Sequence, residues 1–262
     1  MYEFDLIRPT TLAAAVKALK DEDAQALGGG QTLIPTLKQR LAMPSTLVSL
    51  TAIPELRGVC MSDAGDLCIG AATTHADVAR DAIAFPGLAE MATHIGDPAV
   101  RNRGTLGGSL ANNDPSACYP AAALASGALI LTNTREIAAD DYFQGLFTTA
   151  LEDGEIITEV RFPVPEKSRY EKFVQPASRF ALVGVMVAKF GDAVRVAVTG
   201  ASEDGVFRWS EAEEALSADF SPASLAGLSL SGDGMISDLH GSGEYRAHLI
   251  SVMTARAVSK AT

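Results

Sequence analysis

The sequence predicts an α+β fold: two α/β lobes followed by a C-terminal three-stranded antiparallel sheet with helices. Three observations carry that reading. Strand and helix periods alternate from Tyr2 to Leu50, and shorter strands and helices continue to Pro163. A proline-punctuated link, Pro163-Val164-Pro165-Glu166-Lys167, then ends that pattern. Beyond it two apolar runs flank a Gly191-Asp192 turn, which calls for an antiparallel sheet covered by helices. The division this implies is 1-165, in lobes of about 1-54 and 55-165, and then 168-262.

In the first lobe, Tyr2 to Pro9 reads as a strand and Thr10 to Lys20 as a helix with a threonine N-cap and apolar residues at helical spacing. Ala24 to Leu27 is a strand entering a glycine turn, Thr32 to Leu41 a helix, and Thr46 to Leu50 a strand. In the second, Leu56 to Met61 and Leu67 to Ala71 flank a hairpin signal at Asp63-Ala64-Gly65-Asp66. Helices follow over Thr74 to Ala79, Pro86 to Ile95 and Tyr119 to Ser126. Leu129 to Thr132 and Glu136 to Ala139 read as paired strands, Tyr142, Phe143 and Phe147 as core plugs, and Glu155 to Pro163 as the closing strand. The third piece should hold strands at Arg169 to Val174, Ala181 to Phe190 and Val194 to Gly200. Its helices fall near Ser210 to Leu216 and over Gly243 to Lys260, with Ser229 to Gly234 as a surface loop.

Composition narrows the function. A chain of 262 residues can bury a sizeable core, and 47% hydrophobic with 20% charged residues is globular. Lys plus Arg number 21 against 32 Asp plus Glu, a net charge of −11, which argues against a nucleic-acid partner. No basic-then-apolar leader and no run of about 18 apolar residues is present, so the expectation is a cytoplasmic protein without membrane insertion. Cys60, Cys68 and Cys118 are too widely spaced for an iron–sulfur site, and the four histidines, His75, His94, His240 and His248, lack metal spacing. No nucleophile and base arrangement stands out. Surface or helix packing is the plainer account of each histidine, and chemistry must come from a cofactor.

Two glycine-bearing stretches suit one. Asp97 to Pro115 is too rich in glycine, hydroxyl and amide for a strand or helix, yet apolar runs flank it, so a buried or half-buried loop is expected. Within it Gly107 and Gly108 could adopt positive φ and turn successive N–H groups toward one anionic centre. Thr105 and Ser109 add hydroxyls, while Asn112 and Asp114 offer an amide and a carboxylate suited to a sugar or polyol. The other stretch, Leu27-Gly28-Gly29-Gly30-Gln31-Thr32-Leu33, leads from a strand into a helix, where free N–H groups favour a phosphate. Together they could hold one pyrophosphate. A Rossmann turn is not found after the first strand.

The pair Gly28 to Pro35 and Arg101 to Asn112 resembles the two FAD-pyrophosphate loops of the flavin subunit of the molybdenum hydroxylases. That family includes the medium subunit of aerobic carbon monoxide dehydrogenase and the FAD domain of xanthine dehydrogenase. The likeness continues through Tyr170 to Phe173 and Pro176 to Val185 and ends at Glu244 to Leu249, in the same order over nearly the whole chain. The resemblance implies a PCMH-type (vanillyl-alcohol-oxidase-like) FAD-binding domain over 1-165 and a C-terminal flavoprotein domain over 168-262. It also implies non-covalent FAD and cofactor contacts at Leu27, Gly28, Gly29, Gly30, Gln31, Thr32, Leu33, Thr105, Gly107, Gly108, Ser109, Asn112 and Asp114. Ile157 would pack on the cofactor, and Phe180 would stand where many flavin subunits carry a tyrosine over the isoalloxazine ring.

Two positions depart from the family pattern. Cys118 occupies a place where many relatives have a cofactor-binding aspartate, and a thiol is a weak donor and poor acceptor. Gln175 falls near a lysine of the animal xanthine enzymes. The function the resemblance implies is an electron-transfer subunit, passing electrons from 2Fe-2S clusters through FAD to NAD, quinone or O2. Molybdopterin and the 2Fe-2S clusters would reside on a large and a small partner subunit, in a dimer of heterotrimers. Rivals are a free-standing flavin-dependent oxidase of the same fold and a scaffold that has lost its cofactor.

Overall fold

The computed structural model describes residues 1–262. Its first lobe is a small parallel sheet with helices. Strands β1 (Asp5–Ile7), β2 (Ala24–Leu27) and β3 (Thr46–Ser49) pair in the order β1-β3-β2, and helices α1 (Leu12–Ala18) and α2 (Leu33–Lys38) make the crossovers. Thr11 caps α1 by accepting from the Ala14 N–H at 3.3 Å. The second predicted helix is shorter than Thr32 to Leu41. Arg40 turns left-handed at φ 60°, which ends it.

The second lobe is built on a five-stranded antiparallel sheet, β4-β5-β10-β6-β7. Strands β4 (Val59–Met61) and β5 (Leu67–Gly70) form the predicted hairpin, but Pro54–Leu56 is a 3-10 turn rather than the start of a strand. Helices α3 (His75–Asp81), α4 (Pro86–Thr93), α5 (Pro98–Arg101), α6 (Leu106–Asn112) and α7 (Tyr119–Ser126) come next. Then follow β6 (Leu129–Thr132), β7 (Glu136–Ala138), α8 (Ala139–Tyr142), the small β8 (Phe143–Gly145) and β9 (Thr148–Thr149) pair, and β10 (Ile157–Phe162).

Two expectations are corrected here. Asp97 to Pro115 is not an irregular loop: Asp97 caps α5 by accepting from Val100 N–H at 2.9 Å, and Thr105 caps α6 by accepting from Gly108 N–H at 3.2 Å. Side-chain caps outweigh the poor helix propensity of two glycines. Phe147 is not a core plug, for it is 61% exposed at the tip between β8 and β9, whereas Tyr142 is fully buried.

The C-terminal sheet has four strands, not three. Strands β11 (Lys167–Val174), β12 (Ala181–Phe190) and β13 (Ala193–Ser202) lie near their predicted bounds, and β14 (Gly205–Arg208) adds itself to the β13 edge through a tight turn. Helices α9 (Ser210–Ala218) and α10 (Gly243–Lys260) cover one face. Ala247, Ile250, Met253, Thr254, Ala257 and Val258 repeat at three- and four-residue spacing and form the buried stripe of α10. The opposite face packs on the second lobe, so that Tyr170, Met186, Ala188 and Ala197 share a core with α4 and α7. This explains why Ala181 to Ala188 is buried without alternation. No helix is long and apolar enough to cross a membrane.

Candidate functional site: a cavity at the meeting of three lobes

A cavity of about 680 Å3 opens where the lobes meet, within the size range of cofactor sites. The first lobe contributes Leu27 to Leu33, the second Thr105, Gly107, Gly108, Ser109, Asn112, Asp114 and Ile157, and the third Phe180. The structure thus brings every sequence-predicted site residue to one cavity wall.

The two glycine turns touch each other. A Cβ on Gly28 would lie 2.8 Å from Thr105 Oγ1, and one on Gly29 would lie 1.9 Å from the Arg103 carbonyl oxygen. Gly30 has φ +72°, a conformation that side chains resist. None of the backbone amides of Gly28, Gly29, Gly30, Gln31 and Thr32 donates to a backbone carbonyl. The turn is half-buried to exposed and lines the cavity, so its N–H groups are open to a partner from that side.

The second turn works differently from its sequence-stated expectation. Gly107 and Gly108 are helical, not left-handed. The amide of Leu106 donates to Thr73 O at 3.1 Å, that of Gly107 to Ala71 O at 2.8 Å, and that of Ser109 to Thr105 O at 3.0 Å. With Gly108 committed to Thr105 Oγ1, the amides at the start of α6 are occupied. Glycine is needed at 107 for space, because a Cβ there would stand 2.6 Å from that of Ala71. This segment supplies a close-packed wall and side chains, while the amides without backbone partners are those of Gly28 to Thr32.

Other groups in the wall were not singled out by sequence. His75 is 5% exposed, its Nδ1 has no partner, and burial, aided by Arg101, pushes its pKa down to about 4, so the ring is neutral near pH 7. Lys172 places its Nζ 3.0 Å from the His94 carbonyl and 3.5 Å from Cys118 Sγ. Glu155 is held down to about 2, chiefly by Arg135, with Thr132 and the Glu152 amide adding hydrogen bonds. Alternation along β11 places Lys172 on the face of Tyr170, which was the readable signal for it. Nothing in the sequence around His75 marks its burial.

Residues 2–165 match the family model described as FAD binding domain in molybdopterin dehydrogenase. The chain belongs to that family. It is the FAD-binding medium subunit of a molybdenum hydroxylase, an oxidoreductase component that transfers electrons within a multi-subunit complex and is distinct from the molybdenum subunit. It is 37% identical to the carbon monoxide dehydrogenase medium chain of Afipia carboxidovorans, over 98% of this chain and 96% of that one. It is also 35% identical to the nicotine 6-hydroxylase medium subunit of Paenarthrobacter nicotinovorans, covering 92% and 90%. Among solved structures it is similar to quinoline 2-oxidoreductase from Pseudomonas putida 86, with a TM-score of 0.88, 31% identity and coverage of 99% and 96%. The reconstituted CO dehydrogenase from Oligotropha carboxidovorans also gives 0.88, at 34% identity and 99% and 97% coverage.

The residues of the flavin subunit fit the cofactor. Free amides, a turn in which side chains cannot grow, and a wall joining apolar Ile157 and Phe180 to polar Asn112 and Asp114 suit a molecule with a flat ring, a polyol and a diphosphate. Cys118 is 4% exposed and keeps its thiol against Lys172, so no carboxylate stands at that point of the wall.

Proposed function

We propose that the free amides of Gly28 to Thr32 receive the FAD diphosphate, the row of unpaired N–H groups being the observation that carries the reading. Leu27 and Leu33 bound that turn, and Thr105, Gly107, Gly108 and Ser109 form the wall against which it closes. Asn112 and Asp114 meet the polyol part, with Asp114 already oriented by the Ser116 amide at 2.8 Å. Ile157 and Phe180 present apolar surface to the ring and exclude water. Bound there, FAD supplies a group that accepts electrons singly and releases them in pairs. The chain itself positions that group and shields it, and has no catalytic side chain of its own. The domain division is 1-165 and 168-262.

In the assembled enzyme a large molybdopterin subunit and a small 2Fe-2S subunit join this chain, as a dimer of heterotrimers, and the acceptor is NAD, quinone or O2. Three unpaired cysteines suit a cytoplasmic location. Titrating the apo chain with FAD, followed by quenching of flavin fluorescence, tests the reading. One FAD per chain is expected, with affinity lowered about a hundredfold in Gly29→Ala, a loss near 2.7 kcal/mol. Equal affinity in the variant would contradict it.

A further inference from the structure

Two of the three cysteines are brought face to face by the hairpin of the second lobe. In the register of β4 and β5, Cys60 stands directly opposite Cys68. Opposed residues of an antiparallel pair project from the same side of the sheet. Leu67 and Ile69, the neighbours of Cys68, enter the core of the second lobe, so both thiols lie on the other face. The ladder also sets their separation. Ser62 N–H donates to the Asp66 carbonyl at 2.9 Å and Gly70 N–H to the Gly58 carbonyl at 3.0 Å. Hydrogen-bonded pairs alternate along such a ladder, which makes Cys60 and Cys68, midway between those two, a hydrogen-bonded pair with Cα atoms about 5.5 Å apart. That separation is within the range disulfides commonly span, and the Cβ atoms need to close by only about 1 Å. Strand β4 is three residues long and lies at the edge of its sheet, so no strand on its outer side resists that approach.

The two thiols are unequally placed. Cys60 is exposed, whereas Cys68 is 5% exposed. Burial first, then Glu159 and Cys60 itself, push the Cys68 thiol up, while Arg161, its partner on β10, acts in the opposite direction. A reagent in solution therefore meets Cys60 first, and Cys68 is the thiol beside whatever Cys60 becomes. Cys118, the remaining cysteine, is buried against Lys172 in the cavity wall.

We propose that Cys60 and Cys68 are a thiol–disulfide exchange site that takes small soluble disulfides and closes to a cross-strand disulfide. The Cys60 thiolate attacks one sulfur of the small disulfide, whose S–S bond breaks, and one half leaves as a thiol with the proton Cys60 gave up. Cys68 then attacks the Cys60 sulfur of the mixed disulfide, and the second half leaves with the Cys68 proton. The two cysteines lose two electrons and two protons in all, and the small disulfide gains both as two thiols. Under a reducing poise the pair stays a dithiol. The hairpin continues into the cofactor cavity: Ala72 N–H donates to the Leu56 carbonyl at 2.7 Å, and Leu56, Ala71 and Ala72 line the cavity. Tying β4 to β5 thus holds residues 56–61 against that wall.

The test equilibrates the full chain with oxidised and reduced glutathione at a series of ratios, blocks free thiols with N-ethylmaleimide in denaturant, and reads intact mass and mapped peptides. Oxidised wild type should carry one blocking group, on Cys118, and be lighter by two hydrogens through a link between Cys60 and Cys68 that excess reduced glutathione reverses. Amide exchange over residues 56–61 should slow about fivefold on oxidation and recover on reduction. Cys60→Ser should keep Cys68 free at every ratio. Cys68→Ser should stop at the mixed disulfide, with one glutathionyl group on Cys60. Wild type that keeps both thiols free at every ratio, stops at the mixed disulfide, or links either cysteine to Cys118 overturns the exchange site. A Cys60 to Cys68 link that leaves exchange over 56–61 unchanged overturns its hold on the cavity wall.

Discussion

At Gly29 a single hydrogen atom decides whether two turns from different lobes can touch. The Arg103 carbonyl occupies the place where a side chain would begin, so any substitution must push the 103–104 backbone away. The glycines were visible in the sequence, but their reasons were not. Only Gly30 among Gly28, Gly29, Gly30, Gly107 and Gly108 uses its conformational freedom, and the others are required for space. His75 shows a second limit, because an isolated histidine in a helix start gives no sign that folding will bury it. Its folded pKa of about 4 lies below the unfolded value of 6.5. Between those values the unfolded chain binds the extra proton, so stability is fully present above pH 6.5 and falls as pH drops toward 4. The loss should approach about 3 kcal/mol across that window. Urea unfolding of the apo chain between pH 4.5 and 7.5 measures it, and His75→Gln should flatten the slope. An unchanged slope in the variant would place the titration elsewhere.

At the scale of elements, the placement of strands and helices was largely legible, because apolar periodicity and threonine caps are local properties. Helix α10 and strands β2 and β12 have their expected ends. The misreadings have tertiary causes. Helix α6 was hidden because its capping residue, Thr105, sits among glycines that normally mark a loop. Strand β14 was missed because it follows a short turn and gains its order from pairing with β13. The cap of α6 is also a fixture of the second lobe: Thr74 and Thr105 bridge as antiparallel partners, and the Ala71 and Thr73 carbonyls accept the first amides of the helix. Thr105→Val keeps the shape and removes the cap acceptor, which should cost about 1 kcal/mol. For a chain of this size that is a fall of roughly 2–4 °C in Tm. Thr105→Ser should stay near wild type, and a Val variant as stable as wild type would show that the cap is dispensable.

At the scale of the molecule, the cavity is a product of assembly. Its walls come from three lobes that each have local order, and no single stretch of sequence contains it. The lobes are held in register by buried polar contacts that periodicity cannot reveal. The Gly87 amide meets Ser168 Oγ at 3.0 Å, and Thr199 Oγ1 donates to the Pro115 and Ala117 carbonyls at 2.8 and 2.7 Å. The residues of the two glycine stretches already suggested one shared pyrophosphate, and the resemblance to the flavin subunits added which cofactor carries it. Geometry then separated the two turns: the amides of Gly28 to Thr32 lack backbone partners, whereas those at the start of α6 are paired and the second turn packs against the first.

A crystal structure of the chain with FAD bound tests this division most directly. The account predicts diphosphate oxygens within hydrogen-bond distance of the amides of Gly28 to Thr32, with the amides of Leu106, Gly107 and Ser109 still paired to Thr73, Ala71 and Thr105. A diphosphate seated on the start of α6 with those pairings broken, or FAD bound away from the Gly28 to Thr32 turn, would contradict it.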